Sequence, residues 1–200
     1  MSRAQFEFDL TGGEDNNPLP TFKTRIDLFV GLQAPAAAAR QSTEIAGDFM
    51  RRLGVTEEIR PPHVTLHELG EHNRFSLMDL AAKKEELSSV AIEPFMLTFD
   101  QIMSFQRPHG KKALVLCCSQ PNRYLIELRK NIVEAQRQPG IESEATRIFT
   151  PHLTLFYTEQ LVMRQSLETP VRWLVRDFHI IWSHAGECRH ESLWQWPPLA

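Results

Sequence analysis

The chain has 200 residues, 42% of them hydrophobic and 24% charged, with a formal net charge of -3. That length and apolar content can fill a substantial core, which excludes a disordered or fibrous protein. No apolar run approaches the roughly 20 residues of a membrane span, residues 1–10 lack the basic-then-apolar order of a secretory leader, and the slight acidity excludes a broad basic face for gripping duplex nucleic acid.

These features predict a cytoplasmic, monomeric protein with no membrane partner. If RNA is the ligand, it is held by its end. Cys117, Cys118 and Cys188 show no CxxC spacing and are odd in number, so free thiols are expected rather than a disulfide framework or a zinc ribbon.

Residues 1–21 carry the turn-rich stretch Gly12-Gly13-Glu14-Asp15-Asn16-Asn17-Pro18 and no periodicity, which reads as a mobile arm, with the fold starting near Phe22 and running to 198. Residues 25–30 have strand character. Pro35 opens an alanine-rich helix through Leu53, stopped by Gly54. A strand over 62–69 closes at Gly70, and a helix follows over 77–87 beside the charged run Lys83-Lys84-Glu85-Glu86. Residues 95–105 and 112–118 read as a hairpin around Gln106-Arg107-Pro108-His109-Gly110. A helix over 121–136 ends at Pro139-Gly140, and strands are expected over 149–157, 175–183 and 189–196. Helix, motif strand and hairpin thus occur twice, a duplication with a period of roughly ninety residues, longer than solenoid repeats.

The repeat is clearest in Pro62-His63-Val64-Thr65-Leu66 and Pro151-His152-Leu153-Thr154-Leu155. On a strand, alternate side chains share a face, so each copy presents a histidine and a threonine together and buries its aliphatic pair behind them. Two such strands side by side make a cleft of two imidazoles and two hydroxyls. One imidazole can take a proton from an attacking water while the other gives one to a departing ribose oxygen. The threonine hydroxyls can donate to non-bridging phosphate oxygens, where charge builds. This set suits phosphodiester chemistry with no metal and no cofactor.

The doubled HxTx pattern resembles the two-histidine phosphoesterases, in particular the bacterial RNA 2',3'-cyclic phosphodiesterases historically called 2'-5' RNA ligases. His63-Val64-Thr65-Leu66-His67-Glu68-Leu69-Gly70 is similar to that family's first motif, Asp27-Leu28-Phe29-Val30 to its first strand, and residues 178–196, with Arg189 and Leu193, to its C-terminal hairpin. The resemblance implies an α+β, bilobal fold: two antiparallel β-sheets with outer helices around a central cleft, related by a pseudo-two-fold internal duplication. It implies opening of a 2',3'-cyclic phosphate on an RNA end or small nucleotide to a 2'-phosphate, with reversible 2'-5' RNA ligation as a second activity. It places the catalytic roles on His63, Thr65, His152 and Thr154.

After the second motif the family often has a basic residue, where this chain has Tyr157. Tyr157, Arg107 and Lys112 are therefore candidate phosphate-binding residues, with Lys111 beside them, and Phe105 and Phe29 candidates for stacking on a base. The substitution keeps two related activities open: cleavage of 2'-5' oligoadenylate or a cyclic ADP-ribose derivative, and trimming of an RNA 3' end. A non-catalytic RNA-end binding module is the reading from another class, and it has no use for two complementary proton carriers. His67 is expected on the face of His63 and Thr65, as a rim histidine rather than a zinc ligand, because Phe156 holds the equivalent place in the second copy. His72, His179, His184 and His190 share no spacing and are assigned surface or structural roles. Trp194 and Trp196 are assigned to packing and the Cys117-Cys118 pair to the core.

Overall fold

A computed structural model describes residues 26–72, 76–106, 110–137, 149–184 and 186–198. Among them the chain forms β1 (Ile26–Gln33), α1 (Ala36–Leu53), β2 (His63–His72), α2 (Leu77–Ser88), β3 (Phe95–Phe105), β4 (Lys112–Cys117), α3 (Arg123–Ala135), β5 (His152–Thr158), β6 (Gln165–Val175), β7 (Phe178–His184) and β8 (Arg189–Trp196). The expected arm over 1–21, the Pro139-Gly140 break and the tip of the hairpin at 107–109 lie outside the described residues.

Each helix has a local reason to begin. Pro35 enters α1 at φ -65, where its missing N–H would have no helical partner anyway, and Gly54 ends the helix in the left-handed conformation at φ 66. The α1 face of Ala38, Ser42, Ala46 and Phe49 is buried. Ser76 and Asp79 form a reciprocal capping box on α2. The Asn122 side chain accepts from the Leu125 N–H at the start of α3, whose Leu125, Leu128, Ile132 and Val133 turn inward. No described helix is long and apolar enough to cross a membrane.

The strands form two four-stranded antiparallel sheets, in the orders β2-β1-β7-β8 and β5-β4-β3-β6. In each sheet the HxTx strand is an edge, paired with the strand that precedes its own helix: β1-α1-β2 in one and β4-α3-β5 in the other. This is the duplication, although it is interleaved rather than tandem, because β7 and β8 return to the first sheet after the second is complete. The two HxTx edges meet. The Arg60 N–H donates to the Leu155 carbonyl at 2.7 Å, and the Gln41 amide reaches the Thr169 and Pro170 carbonyls from α1. Leu28, Val30, Leu32, Val64 and Leu66 of one sheet share a continuous core with Phe99, Ile102, Leu116, Leu153, Leu155 and Phe156 of the other.

Two expectations need correction. Gly70 does not close β2: it sits inside the strand at φ 95, opposite Leu28, where a register shift occurs. Strand β6 has no counterpart among the expected elements; the strand expected over 175–183 is β7, and only Val175, beyond the break at Arg176-Asp177, belongs instead to the end of β6. Pro170 and the charged residues around it mask β6. As an edge strand it tolerates proline, and residues 167–170 loop out opposite Asp100 before Val171, Trp173 and Val175 resume the inward alternation.

Gly31 faces Thr65 across the β1–β2 ladder, and a Cβ there would lie 2.9 Å from the Val64 carbonyl oxygen and 2.9 Å from the Phe29 ring. The carbonyl belongs to the HxTx strand and cannot yield without moving it. Gly31→Ala is expected to lower stability by about 1–3 kcal/mol in urea unfolding; a neutral substitution would contradict this close approach.

Candidate active site

The alternation on the HxTx strands is as the motif requires. Val64, Leu66, Leu153 and Leu155 are buried in the core, while His63, Thr65, His152 and Thr154 are half-buried on the opposite face. A proline precedes each histidine and holds the residue before itself in an extended conformation. That residue's carbonyl then meets the imidazole: His63 Nδ1 lies 2.7 Å from the Pro61 oxygen and His152 Nδ1 2.9 Å from the Thr150 oxygen. A carbonyl only accepts, so in both rings Nδ1 carries the proton and donates it. Nε2 is left to exchange a proton with a ligand.

A second symmetry is invisible in the sequence. Each HxTx strand has one extra residue just after its threonine, Leu66 opposite the Val30/Gly31 step and Leu155 opposite the Val115/Leu114 step. Because directly paired residues share a face, these bulges reverse the alternation beyond them. His67 therefore pairs with the buried Val30 on the core side and Glu68 with Phe29 on the cleft side. Phe156 pairs with Leu114 in the core, and Tyr157 pairs with Ala113 on the face of His152 and Thr154. His67 is thus not on the face of His63, contrary to expectation. Among the described residues no group of three His, Cys, Asp or Glu side chains is placed to hold a metal ion.

Around His63 the structure gathers residues that no spacing connects. Its ring lies 5.0 Å from Phe29 and 4.4 Å, edge-on, from His190, which comes from the opposite edge strand of the same sheet. His190 also touches Phe29 at 5.4 Å. Burial is the main reason the His63 pKa falls to about 4; the Pro61 carbonyl opposes the fall, and the charges of His152 and Arg60 add to it. Burial likewise takes His190 to about 3, helped by His63, Arg60 and His184. His63 is thus an uncharged imidazole at neutral pH. His152 is close enough to influence it.

The other expected residues divide. Phe105 packs on the His152 ring at 5.0 Å and is half-buried. Phe29, 5% exposed, is a wall behind His63 rather than an open stacking surface for a base. Tyr157 lies in the cleft beneath the Arg60 guanidinium, 5.6 Å from ring centre to Cζ. Lys112 does not reach the cleft: it pairs with Thr158 on the other face, and its ammonium donates to the Glu159 carbonyl at 2.9 Å. Lys111 is ion-paired with Glu57 at 2.7 Å. Arg107 lies outside the described residues. Trp194 and Trp196 stack on each other at 5.7 Å, and Trp196 donates to the Val90 carbonyl, a packing role. Sequence reasoning missed His190 and Arg60. The only signal for Arg60 was its position three residues before His63.

The model of the 2'-5' RNA ligase superfamily matches residues 34–187, more than half of the chain. The chain belongs to that superfamily. This member therefore sits among the two-histidine phosphoesterases and RNA ligases that its doubled motif resembles. Its fold matches Escherichia coli LigT in apo form with a TM-score of 0.70 at 21% identity, covering 86% of this chain and 97% of LigT. LigT complexed with 3'-AMP matches at 0.66 and 24% over the same shares, and TT0787 of Thermus thermophilus at 0.62 and 19%, covering 84% of this chain and 96% of TT0787. At these identities the likeness is one of fold: two antiparallel sheets in two lobes. No curated protein sequence matches the superfamily member.

Because His63 and His190 bind protons less readily folded than unfolded, the unfolded chain takes up more protons as pH falls from 6.5 toward 4. Stability is expected to decline through that window. The decline in thermal midpoint should be shallower in His190→Phe than in wild type; an unchanged slope would contradict the burial of an uncharged His190.

Proposed function

We propose that this superfamily member is a phosphodiesterase that opens 2',3'-cyclic phosphates on RNA ends or small nucleotides, giving a 2'-phosphate and a free 3' hydroxyl without a metal. The observation that carries the reading is the matched pair of histidines, each with Nδ1 committed to a backbone carbonyl two residues back and Nε2 left for chemistry. His63, uncharged at neutral pH, takes a proton from water as the water oxygen bonds to phosphorus. His152 gives a proton to the 3' oxygen as its bond to phosphorus breaks. Thr65 and Thr154 donate to the non-bridging oxygens, where charge accumulates. With the 5' hydroxyl of a second RNA in place of water, the same groups support 2'-5' ligation.

LigT has been crystallised with 3'-AMP, which supports a nucleotide-sized ligand for this fold. A net charge of -3 supports recognition of an end rather than a long duplex, and is compatible with a monomer in the cytoplasm.

His63→Ala and His152→Ala are each expected to lower kcat for 2',3'-cyclic AMP by about 10²–10⁴-fold in EDTA, with the fold intact by circular dichroism. Thr65→Val and Thr154→Val should each lower it by roughly 10²-fold, as for loss of one donor to a developing oxyanion. Phosphorus NMR of the product should show a 2'-phosphate. Full activity in both histidine variants would overturn the proposal, as would turnover confined to linear 2'-5' linkages.

A further inference from the structure

We propose that Arg60 is the phosphate-binding cation of this cleft, reaching from the segment before the first HxTx strand over Tyr157 of the second, so that one lobe completes the anion site of the other. This deepens the phosphodiesterase reading above by naming the group that holds the phosphate.

Position is the first argument. The Leu155 bulge turns Tyr157 onto the face of His152 and Thr154, and the Arg60 guanidinium lies over that ring at 5.6 Å. The backbone of Arg60 is tied to the same bulge by its N–H to the Leu155 carbonyl at 2.7 Å. Pro61 follows it and restrains it to an extended conformation. The side chain therefore springs from a fixed point between the two HxTx strands.

Charge is the second argument. Arg60 is half-buried, and among the described residues no carboxylate forms an ion pair with it. Its positive charge helps hold both His63 and His190 below the usual imidazole range. Its described side-chain neighbours are the Tyr157 ring and the Cys188 thiol, which also meets Glu58, so a phosphate would supply this half-buried guanidinium with a direct anionic partner. Among the described residues, three competing cations have partners of their own. Lys111 pairs with Glu57, Arg189 with Glu187 and Glu191, and Lys112 with the Glu159 carbonyl on the far face. Arg164 is exposed, with its Nε on the Met103 sulfur.

Chemistry is the third. The planar fork of a guanidinium can donate two parallel N–H bonds to a phosphate while its face rests on the tyrosine ring, an arrangement a lysine reproduces only in charge.

Two probes separate this from the phosphodiesterase reading: inorganic phosphate for binding and 2',3'-cyclic AMP for turnover. Arg60→Gln is expected to weaken phosphate binding by about 10- to 100-fold in calorimetry and to raise KM for the cyclic nucleotide more than it lowers kcat. Arg60→Lys should recover part of the loss. In the Arg60→Gln background, Tyr157→Arg should restore binding, because it returns a guanidinium to the same place from the opposite side. Arg164→Gln should change phosphate affinity less than about threefold. In the wild-type protein, phosphate should shift the Arg60 Nε–Hε resonance. Wild-type phosphate affinity in Arg60→Gln, or an Arg60 signal indifferent to phosphate, would overturn the assignment while leaving the histidine chemistry standing. Loss of phosphate binding in Arg60→Gln from a protein that hydrolyses no cyclic nucleotide would uphold the anion site and sink the phosphodiesterase reading instead.

Discussion

The cleft depends on one short hydrogen bond made twice. His63 donates from Nδ1 to the Pro61 carbonyl, and His152 from Nδ1 to the Thr150 carbonyl. The bond is local, two residues back along the same chain, so it needs no help from the rest of the protein to find its partner. The intervening proline keeps the accepting residue extended and its carbonyl in reach. The consequence is a fixed ring orientation and a fixed tautomer, which a histidine on an unrestrained strand lacks. The bulges at Leu66 and Leu155 add the second constraint, since they decide which residues beyond each threonine share the cleft.

The two halves are alike in backbone and unlike in environment. Beside His63 stand the buried Phe29 and the half-buried His190, rings that exclude water and hold the imidazole uncharged. Beside His152 stand Phe105, and, further along the strand, Tyr157 under Arg60. A symmetric scaffold with asymmetric surroundings is what a reaction needs when one group must accept a proton and another must give one. It is also the physical basis for the proposed division of labour, in which His63 serves water and His152 the leaving oxygen.

The strand-borne part of this arrangement was legible in the sequence, because a period of two is written directly into His63-Val64-Thr65-Leu66 and His152-Leu153-Thr154-Leu155. The helices were legible for similar reasons: Pro35 and Gly54 bracket α1, and the capping residues Ser76 and Asn122 start α2 and α3. What was not legible came from three-dimensional causes. A bulge adds a residue without any compositional mark, so the face expected for His67 and Phe156 is reversed, Glu68 gives no sign of turning toward the motif, and Tyr157 is picked out by family resemblance rather than by strand alternation. Strand β6 hides behind Pro170 because an edge strand can carry what a central strand cannot. His190 and Arg60 meet His63 only through strand order and the meeting of two sheets, neither of which leaves a spacing to read. Of the cations expected to meet the phosphate, Lys112 is turned to the far face by the ladder, a placement that spacing does not reveal, and Arg107 lies outside the described residues.

The tautomer of the two imidazoles tests the account at its root. In nitrogen-15 NMR at alkaline pH, where imidazoles are neutral, both His63 and His152 are expected to carry their proton on Nδ1, with Nε2 showing the shift of an unprotonated ring nitrogen. A proton on Nε2 of either ring would mean that its bond to the Pro61 or Thr150 carbonyl is not made, and the proposed proton-transfer pair would lose its structural basis.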